Sequence, residues 1–317
     1  MATPNQTILF RHAESTANVN PRLWGSPNSA VTLTPLGISQ VNRLSRHLVR
    51  YLADNTTFLR QPRRIRVLSS PILRSRQTAE LLLDRVRAHY PEFSVPSYIR
   101  SDQAATVASY RRYAVFDKLR EFYSWDHPTE DLSSWDFQTF MECPDMKEQS
   151  YRNIRSWNTM VRDLGSLSSF LCSTGSPNLP LVMAFTHHFA MNTLIFHWLR
   201  SVDQSIELRN QFAALAEKHP RLSYWFALRG GDLSQACHRL QIPHACGVVL
   251  GESLSLSEGV HEDLLKSLSN PNGDATSLLG SYSGEILTIW DLLIINSEVA
   301  RRARLEPVNP RYHAALL

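Results

Sequence analysis

Apolar positions along this chain follow two spacings that alternate. Thr7 to Phe10 and Leu181 to Phe185 are short apolar runs, which predict buried strands, and Ile65 to Ser69 reads as a further strand. Val41, Leu44, Leu48 and Leu52 recur instead at helical spacing, as do Ile72, Ala79, Leu82 and Leu83, and later Ile154, Trp157, Val161, Leu164 and Phe170 or Leu171. Thr34 is placed to cap the first of these helices, with Pro35 at its first position. Ser70-Pro71 ends the second strand and opens the next helix. Another helix is expected from about Phe189 to Arg200, with helical segments from Ile206 to Leu215 and from Leu233 to Leu240. Gly247 to Leu250 and Ile286 to Ile289 are further strand candidates. Tyr90 to Met146 reads as long loops with short helices, and Glu252 to Ser283 as surface loop. The alternation predicts an α/β fold: a three-layer sandwich with a mostly parallel central sheet and helices on both faces.

Composition narrows the class. The chain has 317 residues and is 43% hydrophobic, enough for a well-buried core in one domain or in one domain with a sizeable insertion. A formal net charge of +4 suits an anionic small substrate and is too small to argue for nucleic acid. The clusters Arg63-Arg64-Arg66 and Arg301-Arg302-Arg304 read as solvated faces. The four cysteines form no C-x-x-C pair and show no zinc-type spacing, so free thiols in a reducing compartment are expected. No secretory leader and no apolar run of transmembrane length are visible, which makes a cytoplasmic protein without membrane insertion the expectation.

The chemistry gathers at predicted strand ends. After the first strand come Arg11 and His12, then Glu14, Ser15 and Asn18. After the second come Ser69, Ser70 and, one helical turn on, Arg74; after the third come Thr186, His187 and His188. A parallel sheet brings such ends to one edge, where ligands bind. Two arginines and two histidines around one pocket can hold a phosphoryl group and attack it. Strand alternation lets either His187 or His188 face that pocket.

These segments resemble the histidine phosphatase superfamily, the phosphoglycerate-mutase-like group. Arg11-His12-Ala13-Glu14-Ser15-Thr16-Ala17-Asn18 is similar to its Arg-His-Gly-Glu-Ser-x-x-Asn signature. Leu33-Thr34-Pro35-Leu36-Gly37-Ile38-Ser39-Gln40 resembles its Leu-Thr-x-x-Gly-x-x-Gln segment, and Ser69 to Ala79 its Ser-Ser-Pro-x-x-Arg-x-x-Gln-Thr-Ala segment. Thr186-His187 follows an apolar strand as the second family histidine does. The resemblance covers about residues 7 to 200 and is loose beyond. It implies His12 as a nucleophile that becomes phosphohistidine, Arg11 and Arg74 as phosphoryl clamps, Asn18 as a further phosphate ligand, and His187 as a catalytic and phosphate-binding donor. It implies no metal and no cofactor. For the proton donor, Asp117, Glu121, Asp126, Glu130 and Asp131 are candidates, and resemblance to the family's Leu-x-Glu segment selects Glu121. Two positions depart from the pattern: Ala13 replaces a glycine, and His188 stands where a glycine commonly follows the second histidine.

Against that family the chain is a single domain over residues 1–317, with surplus at about 104–147 and 201–283. The first surplus is expected to shape a substrate-selecting lid. Arg111 and Arg112 within it, beside Tyr110 and Tyr113, are candidates for a second anionic group, and His188 for substrate preference. Trp24, Trp125 and Trp135 either line the pocket or pack the loops. The expected function is hydrolysis of a phosphomonoester through phosphohistidine. The alternatives are mutase-type phosphotransfer and a catalytically inactive module that binds phospho-ligands. Phe122 to Pro128 does not resemble the stretch that mutases carry after the acid, which favours the phosphatase. A phosphorylated small molecule is the expected partner, with a phosphoprotein as the other option, and oligomeric state is left open.

Overall fold

The computed structural model describes residues 6–20, 23, 31–54, 65–70, 72–91, 113–115, 162, 164, 181–202, 217, 240–250 and 275–305. In chain order these form β1 (Gln6–Arg11), α1 (Thr16–Val19), α2 (Pro35–Asp54), β2 (Ile65–Ser69), α3 (Leu73–Arg87), β3 (Tyr113–Val115), β4 (Leu181–Thr186), α4 (His188–Val202), β5 (Gly247–Leu250), α5 (Ala275–Ser281), β6 (Ile286–Thr288) and α6 (Ile289–Leu305). The six-stranded sheet runs β3-β2-β4-β1-β5-β6. The first four strands are mutually parallel, whereas β5 pairs antiparallel to β1 and carries β6 parallel to itself.

Every residue of β4 is buried, as a central strand covered on both faces requires. One face carries Ile8, Phe10, Val67, Met183 and Phe185, packed beneath Val41, Leu44 and Leu48 of α2 and Leu82, Leu83 and Val86 of α3. Phe10 and Phe185 stack there with ring centroids 4.6 Å apart. The alternate positions Thr7, Leu9, Val182 and Ala184 are buried too, so the opposite face is also covered. There α4 packs on β1 and α6 on β5 and β6. The edge contact between Trp198 and Trp290, 6.4 Å between centroids, joins those two helices. The α/β sandwich with helices on both faces is therefore as expected, and the sheet is mixed.

Several expectations change. Ala275–Ser281 is a helix rather than loop: its small and polar residues suit a turn, but Leu278, Leu279 and Tyr282 find a place in the core. Tyr113–Val115 is an edge strand inside a stretch read as irregular. Ile286–Thr288 ends at Thr288, where Asp291 Oδ2 accepts the Thr288 N–H at 2.9 Å and the chain turns into α6. Arg302 is not part of a solvated face: it is 5% exposed and its Nε donates to Glu298 one helical turn back at 3.0 Å. The expected helix at Ile206–Leu215 lies outside the described residues, as does the lid stretch 116–147. The expected helix at Leu233–Leu240 lies outside them too, except for its last residue Leu240, which is buried and not helical. Cys246 is buried and free. Among the described residues no helix is long and apolar enough to cross a membrane.

Candidate functional site

The register of the sheet builds the site. Arg11 lies opposite Thr186 in the parallel β1–β4 pair, so His12 and His187 follow side by side past the strand ends. The His12 N–H donates to the Thr186 carbonyl at 3.0 Å, and the two imidazoles lie 5.2 Å apart. Ser69 lies opposite Phe185 on the other flank of β4, which brings Ser70 to the same edge. Ser70 Oγ is 2.7 Å from His187 Nε2. From α3, the Arg74 side chain reaches His12, with Nε 3.1 Å from His12 Nε2. Arg11, His12, Arg74, His187 and Ser70 are all buried.

His12 is held in one tautomer. Its Nδ1 lies 2.8 Å from the carbonyl of Ala13, an acceptor, so Nδ1 carries the proton. Nε2 then presents a lone pair, and the Arg74 Nε–H donates to it. Burial drives the imidazole pKa well below its usual 6.5, and the Arg74, His187, Arg11 and His244 charges push the same way. The ring is therefore neutral and nucleophilic at neutral pH.

A set of polar side chains braces the loop that presents His12. Thr78 Oγ1 accepts the Ala13 N–H at 3.0 Å while donating to the Arg74 carbonyl at 2.8 Å, tying the His12 loop to the helix that carries Arg74. Gln40 Oε1 accepts the Glu14 N–H at 2.9 Å, and Gln77 Oε1 accepts the Leu33 N–H at 3.1 Å. Thr34 caps α2 by accepting the Gly37 N–H at 2.9 Å and donates to Glu14 Oε1 at 2.7 Å. Gly37 has no room for a side chain: a Cβ there would lie 2.1 Å from the Glu14 carbonyl oxygen. The threonine, glycine and glutamine positions of the sequence motifs are thus the scaffold of the His12 loop.

Asn18 is half-buried, and its Oδ1 accepts both the N–H and the O–H of Ser15, at 2.9 and 2.7 Å. Only its NH2 group can serve an anion. His188 opens α4, with Nε2 3.3 Å from Asn192 Nδ2 and its ring edge-on to Phe189. It borders the site through His244, whose electrostatics it affects. Glu121, Arg111, Arg112, Trp24, Trp125 and Trp135 lie outside the described residues.

Sequence reading missed His244. Its ring lies 5.9 Å from that of His12, and Nε2 is 3.4 Å from an Arg11 terminal nitrogen. It precedes β5, and only residues following strands had signalled a site. Because β5 runs antiparallel to β1, with Gly247 opposite Phe10, its N-terminal end shares the edge where the parallel strands finish. The strand at Gly247–Leu250 was legible; its direction was the missing signal. Beside this edge opens a cavity of about 620 Å³ whose lining includes Arg11, Asn18, His244, Arg43 and Arg46. Among the described residues no group of three or more His, Cys, Asp or Glu side chains is placed to hold a metal ion.

Residues 7–92 match the pattern of the histidine phosphatase superfamily (branch 1), and the match takes in Arg11, His12, Asn18 and Arg74 together with the bracing residues. Over these residues the chain is similar to the histidine phosphatase superfamily. The comparison with curated proteins finds no match. Among solved structures, a phosphoserine phosphatase from Entamoeba histolytica is 13% identical with a TM-score of 0.42, covering 78% of this chain and 95% of that one. An open reading frame product of Mycobacterium tuberculosis is 16% identical with a TM-score of 0.43, covering 79% and 93%. A mycobacterial glucosyl-3-phosphoglycerate phosphatase is 16% identical with a TM-score of 0.37, covering 62% and 82%. Likenesses this distant carry no argument about activity, so the likeness to the superfamily rests on residues 7–92. His187 and His244 lie beyond that segment, and the register of the sheet brings them to it.

Proposed function

We propose that this protein is a metal-independent phosphatase that hydrolyses a phosphomonoester through a phosphohistidine on His12. The observation that carries the reading is the His12 tautomer: Nδ1 bound to the Ala13 carbonyl, and Nε2 presented beside the Arg74 guanidinium. An unprotonated nitrogen next to a fixed cation is what attack on phosphorus demands.

In the first step Nε2 bonds to phosphorus, the P–O ester bond breaks, and the leaving alkoxide takes a proton from the acid. In the second, water attacks phosphorus, the P–N bond breaks, inorganic phosphate leaves, and the water's proton returns to that carboxylate. Arg11, Arg74, His187 and the NH2 of Asn18 hold the phosphoryl oxygens, and the two guanidinium groups offset the charge gathering there. Glu121 is assigned as the acid on its resemblance to the family segment. The cavity bordered by Arg43, Arg46, Asn42 and Gln241 takes the rest of the substrate, which favours a polar or anionic small molecule. Arg111 and Arg112 are assigned to a second anionic group, and His188 to substrate preference. The sparse cysteines and mild charge support a cytoplasmic setting, and one domain is the simplest organisation.

A screen of phosphomonoesters against the wild type and His12→Ala tests the reading. The substitution is expected to lower turnover by at least about a thousandfold. A phosphoenzyme that is acid-labile and base-stable should be trapped only in the wild type. Turnover surviving in His12→Ala sinks the mechanism; isomerised product without free phosphate makes the protein a mutase.

A further inference from the structure

His244 meets Arg11 through a loop that is itself tied down. Arg11 donates from one terminal nitrogen to the Ile242 carbonyl and sets the other 3.4 Å from His244 Nε2. A guanidinium offers donors only, so Nε2 is the acceptor and the His244 proton sits on Nδ1. The Arg11 main chain is held by the same loop, since its N–H donates to the Cys246 carbonyl at 3.0 Å. In return, the Ala245 N–H donates to the His12 carbonyl at 3.2 Å.

Two asparagines anchor the loop from the helices behind it. Asn296 of α6 accepts the Gln241 N–H at 2.6 Å and donates to the Gln241 carbonyl at 2.8 Å. Asn192 of α4 donates to the Leu240 carbonyl at 2.8 Å. Ala245 has φ 51°, a left-handed conformation that is strained for a residue with a Cβ. Strain of this kind persists where surrounding structure dictates it, often at functional sites. Here it turns the chain between the side chain that meets the Arg11 guanidinium and the carbonyl that holds the Arg11 main chain.

We propose that His244 is the positioning residue for Arg11: its Nε2 and the Ile242 carbonyl fix the guanidinium plane, so that its remaining N–H groups are oriented for a phosphoryl group. The proposal rests on the reading of Arg11 as a phosphoryl clamp. The charged and titratable groups around His244 are Arg11, Arg74, His188 and His12, with Glu14, Arg43 and Arg46 lining the adjoining cavity. Burial and then the Arg11 charge push the His244 pKa well below 6.5, with the His12 backbone opposing, which keeps the ring an acceptor. A protonated ring would lose the lone pair and repel Arg11.

The test is a double-mutant cycle on binding of inorganic phosphate. His244→Leu fills similar space without an acceptor, and His244→Gln returns one. His244→Leu is expected to weaken phosphate about 10-fold, within the coupling range of contacting residues, with His244→Gln recovering most of it. On an Arg11→Ala background, His244→Leu should add less than about twofold, because the two residues act as one unit. Wild-type affinity in His244→Leu, or losses that multiply, overturns the proposal. A ligand-free measurement stands beside it: in histidine NMR titrations Arg11→Ala should raise the His244 pKa, and an unmoved value overturns the contact whatever the variants do to folding. Neither measurement involves turnover. A failed phosphohistidine mechanism, read from His12→Ala turnover, is therefore distinguishable from a failed Arg11–His244 contact.

Discussion

At the scale of single residues, the site depends on keeping His12 neutral while surrounding it with cations. Burial and then Arg74 hold its pKa below 6.5, so the acid limb of kcat/KM that reports the free imidazole should lie well below that pH. Replacing Arg74 with alanine removes the largest charge that disfavours protonation. Histidine NMR titration of Arg74→Ala should then show the His12 pKa moving up toward 6.5; a value that stays put refutes this account of its depression. The residues themselves were largely legible. Arg11, His12, Arg74 and His187 could be read because each ends or follows a strand or lies in the first turn of a helix, where local spacing declares position. His244 could not, because its place depends on which way a strand is laid beside its neighbour, and that is decided by contacts distant in sequence.

At the scale of elements, α2 does more than cover the sheet: through Thr34, Gly37 and Gln40 its first turns dock on the backbone of Glu14, two residues past His12. Gly37→Ala would force a methyl carbon to within 2.1 Å of a carbonyl that cannot rotate away, so helix and loop must part. A loss of roughly 3 kcal/mol or more is expected, with activity falling further than stability alone would dictate. Gly280→Ala in α5 is the matched control, since a Cβ there meets nothing within 4 Å. It should stabilise by about 0.5–1 kcal/mol through the unfolded chain and helix propensity. Thermal melts of both variants decide the point; equal shifts would remove the docking argument. The α2 and α3 patterns were readable because one apolar face meets one core. Ala275–Ser281 was not, since burial of Leu278 and Leu279 outweighs a composition that favours turns.

For the whole molecule, burying neutral imidazoles at the sheet edge makes folding itself depend on pH. An unfolded chain protonates His12 near pH 6.5, whereas the folded chain resists until well below it, so the unfolded state binds more protons between those limits. Stability is fully present above about pH 6.5 and drains away as pH falls toward the folded value, by at most about 1.4 kcal/mol per pH unit for this one group. His244 has the same sign. Glu285 acts in a lower window. Burial alone would raise its pKa, but the hydrogen bond and charge of His47, 2.8 Å away, and the Arg43 ion pair hold it below 4.5. Its contribution is present above 4.5 and lost as pH falls through the depressed value. Denaturant unfolding at a series of pH values separates the two windows. His12→Gln should flatten the fall that begins near pH 6.5, and Glu285→Gln should flatten only the part below about 4.5. If the wild type and His12→Gln lose stability in parallel from pH 6.5 downward, His12 is not held neutral by the fold, and the proposed attack on phosphorus would need substrate to deprotonate it.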